Sequence, residues 1–93
     1  MTQPARYRLV ITRTARRQLA ERLPDSVAFA VHEFISGPLL GDPYRVGKRL
    51  TPPLDDRLSA RRGTYRVLYR VDDNTRTVTV VGVGARSSIY RTS

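Results

Sequence analysis

The sequence predicts an α+β fold in one small domain, residues 1–93. The expected architecture is an antiparallel β-sheet of four to five strands with an N-terminal two-helix hairpin packed on one face, in β-α-α-β-β-β order. Three observations lead there. The chain opens on a β-branched and aromatic run, Tyr7-Arg8-Leu9-Val10-Ile11. Two stretches with apolar residues at helical spacing follow, and the last third alternates with period two.

The opening run reads as the first strand because aliphatic, β-branched and aromatic side chains fit a pleated, half-buried surface. Thr12 or Thr14 can cap what comes next. Ala15, Leu19 and Leu23 recur every fourth residue, with Arg13, Arg16, Arg17 and Arg22 on the other faces, so residues 14–23 read as an amphipathic, strongly basic helix. Pro24 and Asp25 break the chain and restart it, proline fitting a first turn and aspartate the positive end of a helix dipole. Val27, Ala30, Val31 and Phe34 form the apolar stripe of a second helix, which Gly37-Pro38 ends.

Between residues 36 and 56 lie Pro38, Pro43, Pro52 and Pro53, four of the chain's six prolines. No long regular element survives that density. A short helical turn is expected near residues 42–45 and an extended piece near residues 48–50. Residues 58–60 suit a short strand. From 64 to 71 the alternation is strict: Tyr65, Val67, Tyr69 and Val71 share one face, and Arg66, Leu68 and Arg70 the other. Asp72-Asp73-Asn74 reads as a hairpin turn, residues 77–83 as the returning strand and residues 89–91 as a final short one. Two helices cover one face of such a sheet. If that face is the tyrosine face, Arg66 and Arg70 are left on the open one.

Composition narrows the chemistry. There is no cysteine and one histidine, which excludes thiol catalysis and a disulfide framework and argues against zinc; the expectation is no metal and no cofactor. No segment has signal-peptide or membrane-span character, so no membrane role and a cytoplasmic location are expected. Net charge is +9, from 17 Lys and Arg against 8 Asp and Glu, and Lys48 is the only lysine. Residues 1–24 hold six basic and one acidic side chain, residues 25–56 three and five, and residues 57–93 eight and two. Such a division gives a basic surface that attracts polyanions and weakens with salt.

Within that surface Arg61, Arg62, Arg66 and Arg86 are candidate phosphate contacts, since a guanidinium offers a planar fork of donors. Tyr65 and Tyr69 alternate with valine and read as core. Tyr90, four residues after Arg86, is a candidate for stacking or proton transfer. Gly82 and Gly84 mark either a bulge or room for a nucleotide beside the arginines. His32 lies on the second helix, away from the arginines, and Asp55-Asp56 and Asp72-Asp73 are ordinary turn chemistry. Glycine-rich phosphate loops and nucleophile–base pairs are absent as patterns.

The two motifs, Ser59-Ala60-Arg61-Arg62-Gly63-Thr64-Tyr65-Arg66-Val67-Leu68-Tyr69 and Val83-Gly84-Ala85-Arg86-Ser87-Ser88-Ile89-Tyr90-Arg91, resemble those of the RelE/ParE toxin superfamily, in the same order and near the C-terminus. The resemblance covers most of the chain and is greater to the RelE branch. It implies the toxin of a type II toxin–antitoxin system: a ribosome-dependent endoribonuclease that cuts mRNA in the A site without metal, with a cognate antitoxin, the ribosome and mRNA as partners. Catalytic roles are implied for Arg66, Arg86 and Tyr90, and RNA or ribosome contact for Arg57, Arg61, Arg62, Arg70 and Lys48. Two departures stand out: Arg57 and Ser59 occupy the place of a lysine pair, and Ala85 that of a histidine. The set is thin in groups that take a proton. Two alternatives remain, a non-catalytic ParE-like gyrase poison and a module that binds antitoxin or nucleic acid with its catalysis decayed.

Overall fold

The structure is a computed structural model that describes residues 6–85. It contains β1 (Arg8–Ile11), α1 (Arg13–Glu21), α2 (Asp25–Ser36), a single-turn α3 (Pro38–Gly41), β2 (Lys48–Arg49), β3 (Leu58–Arg62), β4 (Tyr65–Asp72) and β5 (Thr77–Ala85). The five strands form one sheet in the order β1-β5-β4-β3-β2. Three of its pairings are antiparallel, as expected. The fourth is parallel, because the helix hairpin carries the chain across the sheet and lays β1 alongside β5, with Arg8 opposite Thr77 and Ile11 opposite Val80. The sheet is therefore mixed, with one parallel edge pair.

Thr12 caps α1, its hydroxyl accepting from the Ala15 amide at 3.2 Å, while its own amide donates to the Val80 carbonyl at 3.0 Å. The helix thus begins where β1 lets go of β5. Past Val80 the outer side of β5 is tended by α1 instead, where Gln18 Oε1 accepts from the Val83 amide at 2.7 Å. Ala15 and Leu23, with Val31, Phe34 and Ile35 of α2, are buried against Leu58, Ala60, Val67, Tyr69, Val78, Val80 and Val83 of the sheet. Side chains of fully buried Leu, Ile, Val or Phe each contribute roughly 1.5–3 kcal/mol, so this one face supplies most of the fold's stabilisation. Gly37-Pro38 ends α2 as expected, and Pro38 then opens the separate turn of α3, where its missing N–H costs nothing; Leu39 is fully buried.

The hairpin turns match their residues. Gly63 and Thr64 alone join β3 to β4, and Gly63 at φ 63° takes the first central position, the type II′ arrangement that suits twisted strands. Between β4 and β5 the Asp72 carboxylate accepts from the amides of Asn74 (2.9 Å) and Thr75 (3.3 Å), and Arg76 takes the left-handed conformation at φ 53°. A bulge interrupts the β4–β5 ladder: Leu68 pairs with Gly82 but Tyr69 with Val80, leaving Val81 as the extra residue. Of the two readings left open for Gly82 and Gly84, a bulge is present beside Gly82, while Gly84 stays in regular register opposite Arg66.

At that end of the sheet Asp73 is a clasp. Its carboxylate accepts from the hydroxyls of Tyr7 and Tyr44, both at 2.5 Å, tying β1 and the turn after α3 to the β4–β5 loop. Arg76 stacks on the Tyr7 ring at 4.1 Å. These hydrogen bonds hold the Asp73 carboxyl below its ordinary range and, being donated by the neutral phenols, push Tyr44 up to about 12.

Candidate functional site

Strand register decides which side chains reach the face opposite the helices, where Leu68 and Ser59 are buried and the arginines exposed or half-buried. Tyr65, Val67 and Tyr69 face the helices as expected, and Tyr69 is fully buried. Arg66 therefore faces away from them, and its cross-strand neighbours are Arg61 on β3 and Gly84 on β5. Two like charges directly opposite on a sheet repel, and Gly84 leaves no side chain on the other flank to offset them. A further pairing adds to the cluster: Lys48 on β2 lies opposite Ser59 on β3.

These strands, with the turn before β2, enclose an open groove of about 560 Å³ lined by Arg45, Val46, Gly47, Lys48, Leu50, Ser59, Arg61 and Arg66. Among the described residues four cations line it and no carboxylate does. A smaller recess of about 300 Å³ beyond it, at the Gly63 turn, shares both Arg61 and Arg66. The arrangement is one that a phosphodiester completes: guanidinium forks for its non-bridging oxygens, an ammonium beside them and a small floor at Ser59.

The wall carrying Arg45, Gly47 and Lys48 is fixed from below. The Tyr69 hydroxyl, inside the core, donates to the Pro43 carbonyl at 2.5 Å, and burial pushes that phenol up to about 12. Gly47 lies against the same hydroxyl, so closely that a Cβ there would overlap it and stand 3.0 Å from both the Tyr69 Cζ and the Ser59 carbonyl oxygen. Space, not backbone angle, requires the glycine.

The expected site residues separate into three groups. Arg61, Arg66 and Lys48 come together. Arg62, one residue on, points to the helix face, where its guanidinium lies 4.5 Å above the Phe34 ring. Arg57 and Arg70 lie elsewhere: Arg57 Nε is 3.9 Å from an Asp56 carboxylate oxygen, and Arg70 shares a cavity of about 640 Å³ with Asp56, Asp72 and Asp73. Four residues of extended chain separate Arg70 from Arg66, roughly 13 Å, so the open face is positive at one end and mixed at the other. Arg86 and Tyr90, with the strand expected at residues 89–91, lie outside the described residues. Arg45 escaped the sequence reading; it sits in the proline-rich stretch, and only the folding of β2 against β3 carries it to the groove. Among the described residues no His, Asp and Glu side chains gather as a metal-binding set, and no helix is long and apolar enough to cross a membrane.

Comparison with known proteins gives the family and the fold. The family described as ParE toxin of type II toxin-antitoxin system, parDE, matches residues 6–90. Two Mycobacterium tuberculosis proteins are similar over 85 residues: Toxin RelE, 47% identical and covering 91% of this chain and 87% of its own length, and Toxin RelG, 49% identical and covering 91% and 97%. Among solved structures, a chain of the RelBE2 toxin–antitoxin complex from Mycobacterium tuberculosis superposes with a TM-score of 0.83 at 48% identity, over 88% of this chain and 100% of that one.

Proposed function

This chain belongs to the ParE toxin family of type II toxin–antitoxin systems, and we propose that it is a ribosome-dependent endoribonuclease that cuts mRNA in the A site and is neutralised by a cognate antitoxin. The observation that carries the proposal is the groove in which Arg61 and Arg66 oppose each other beside Lys48 and Arg45. Relatives near 48% identity bearing the RelE and RelG names support it.

The chemistry assigned to the groove is attack of the RNA 2′-hydroxyl on its own phosphodiester, giving a 2′,3′-cyclic phosphate and a free 5′-hydroxyl. Charge accumulates on the non-bridging oxygens in the transition state, and the role of binding it is assigned to Arg61 and Arg66. The Lys48 ammonium donates a proton to the departing 5′ oxygen, a role the sequence had left without a lysine. Tyr90 or a ribosomal group takes the 2′-hydroxyl proton, and Arg86 adds charge, both on the strength of the family motif. With so few proton-transfer groups, much of the acceleration falls to holding the mRNA in attack geometry, which the ribosome supplies. An exposed basic surface also suits an acidic antitoxin, and the RelBE2 relative is itself a toxin–antitoxin complex.

The deciding experiment is induction in bacteria with mapping of mRNA ends. Codon-phased cuts that vanish in Arg66→Ala are expected. Growth arrest with intact mRNA and broken DNA would overturn cleavage in favour of gyrase poisoning, the reading to which the ParE description of the family lends weight.

A further inference from the structure

The groove does not use the most basic part of the chain's first third. Helix α1 packs on the sheet through Ala15, Gln18 and Leu19, and its opposite side carries Arg13, Arg16, Arg17 and Ala20, all exposed. At 3.6 residues per turn these four fall within one narrow arc, diametrically opposite the buried face. Arg13 neighbours both Arg16 and Arg17 at i+3 and i+4, where like charges repel, and none of the three forms an ion pair among the described residues. Since α1 covers the sheet's other face, these arginines point away from the Arg61–Arg66 groove.

We propose that the outer face of α1 is a second nucleic-acid surface, which docks the phosphate backbone of structured, double-helical RNA on the ribosome while the groove holds mRNA. The proposal rests on the ribosomal reading above and adds a second contact to it. Three features favour RNA over a protein partner. Three guanidiniums on adjacent turns present repeated forks to a phosphate row. The arc holds no apolar side chain larger than Ala20, so a protein would find no anchor to bury at its centre. The exposed aromatic residue of the helix layer, Phe29 at 68% exposure, lies on α2 and not on this face. The field of the patch adds to the groove's, so the molecule presents positive surfaces on opposite sides and fits a cleft with polyanionic walls.

The test is sedimentation of the purified toxin with 70S ribosomes across a salt series, comparing wild type with the Arg13→Gln/Arg16→Gln/Arg17→Gln variant and with the corresponding triple lysine variant. The glutamine variant is expected to bind at least ten times more weakly, with a salt slope shallower by about 2–3, since each duplex phosphate that is no longer neutralised removes about 0.9 from the slope. The lysine variant should stay close to wild type. Single-turnover cleavage at saturating ribosomes should be the same in all three proteins, and circular dichroism confirms that α1 is formed. Unchanged ribosome affinity in the glutamine variant overturns the proposal, as does a wild type that does not bind ribosomes. Loss of antitoxin affinity without loss of ribosome affinity also overturns it, assigning the face to the protein partner. A wild type that binds ribosomes but cuts nothing refutes the nuclease reading alone and leaves the affinity comparison standing.

Discussion

Gly47→Ala adds one methyl group where the wall of the basic groove meets the core. Its Cβ would overlap the Tyr69 hydroxyl and approach the Tyr69 Cζ and the Ser59 carbonyl oxygen to 3.0 Å. Tyr69 cannot swing aside, being fully buried with its hydroxyl tied to Pro43. Overpacking of this kind costs about 1–3 kcal/mol. Tyr69→Phe by itself removes the hydrogen bond and leaves the Pro43 carbonyl without its partner, at a cost of about 1–2 kcal/mol. In the double variant the hydroxyl that blocks the methyl is gone while the Cζ and the Ser59 oxygen remain, so part of the Gly47→Ala penalty disappears. The two changes should therefore be non-additive, the double variant being more stable than the sum by about 1 kcal/mol. Urea unfolding of the four proteins measures this directly, and for a domain of this size each kcal/mol corresponds to about 4–8 °C in Tm. Cleavage should fall further than stability in Gly47→Ala, since the displaced residue lies between Arg45 and Lys48. Strict additivity, or a Gly47→Ala protein as stable as wild type, would refute the packing account.

Other outcomes follow from the same geometry. Arg66→Ala should lower single-turnover cleavage on ribosomes by about 10²–10³, the usual cost of one preorganised transition-state donor, and Arg66→Lys should restore only part of it because an ammonium lacks the fork. Arg62→Ala should cost about 0.5–1 kcal/mol by taking the cation off the Phe34 ring while cleavage stays at the wild-type rate; a large fall in cleavage at full stability would move Arg62 into the site. Stability should decline at both pH extremes. The Asp73 carboxyl is lowered by its tyrosine donors, so its contribution is complete above the unfolded carboxylate value near 3.9 and is lost as pH falls through the lower folded value; Asp73→Asn should flatten this acid limb of a Tm–pH profile. Tyr44 and Tyr69, pushed up to about 12, contribute fully below about pH 10 and lose that contribution as pH rises through 12, a limb that Tyr44→Phe should reduce.

Much of the fold was legible because it rests on local signals. Thr12 as a cap, the 15/19/23 apolar spacing, the strict alternation of residues 65–71 and the Asp72 turn all act over a few residues, and each appears where its chemistry puts it. The irregular stretch was partly legible too: an extended piece near Lys48 exists as β2, but a two-residue strand has no period of its own and forms only by pairing with β3. The parallel pairing of β1 with β5 likewise has no local signature, since it joins residues some seventy positions apart.

By itself the sequence determined an arginine-rich α+β chain with one helix-covered sheet face, and its motifs already pointed to Arg66 and Arg61. Tertiary structure alone decided which cations share a groove. It brought Lys48 opposite Ser59 and raised Arg45 beside it, and it turned Arg62 onto Phe34 and left Arg70 among carboxylates. The physical reason is the two-residue period of a strand. Adjacent arginines in the chain go to opposite faces, while residues apart in sequence, such as Lys48 and Ser59, meet wherever the register of the ladder sets them side by side.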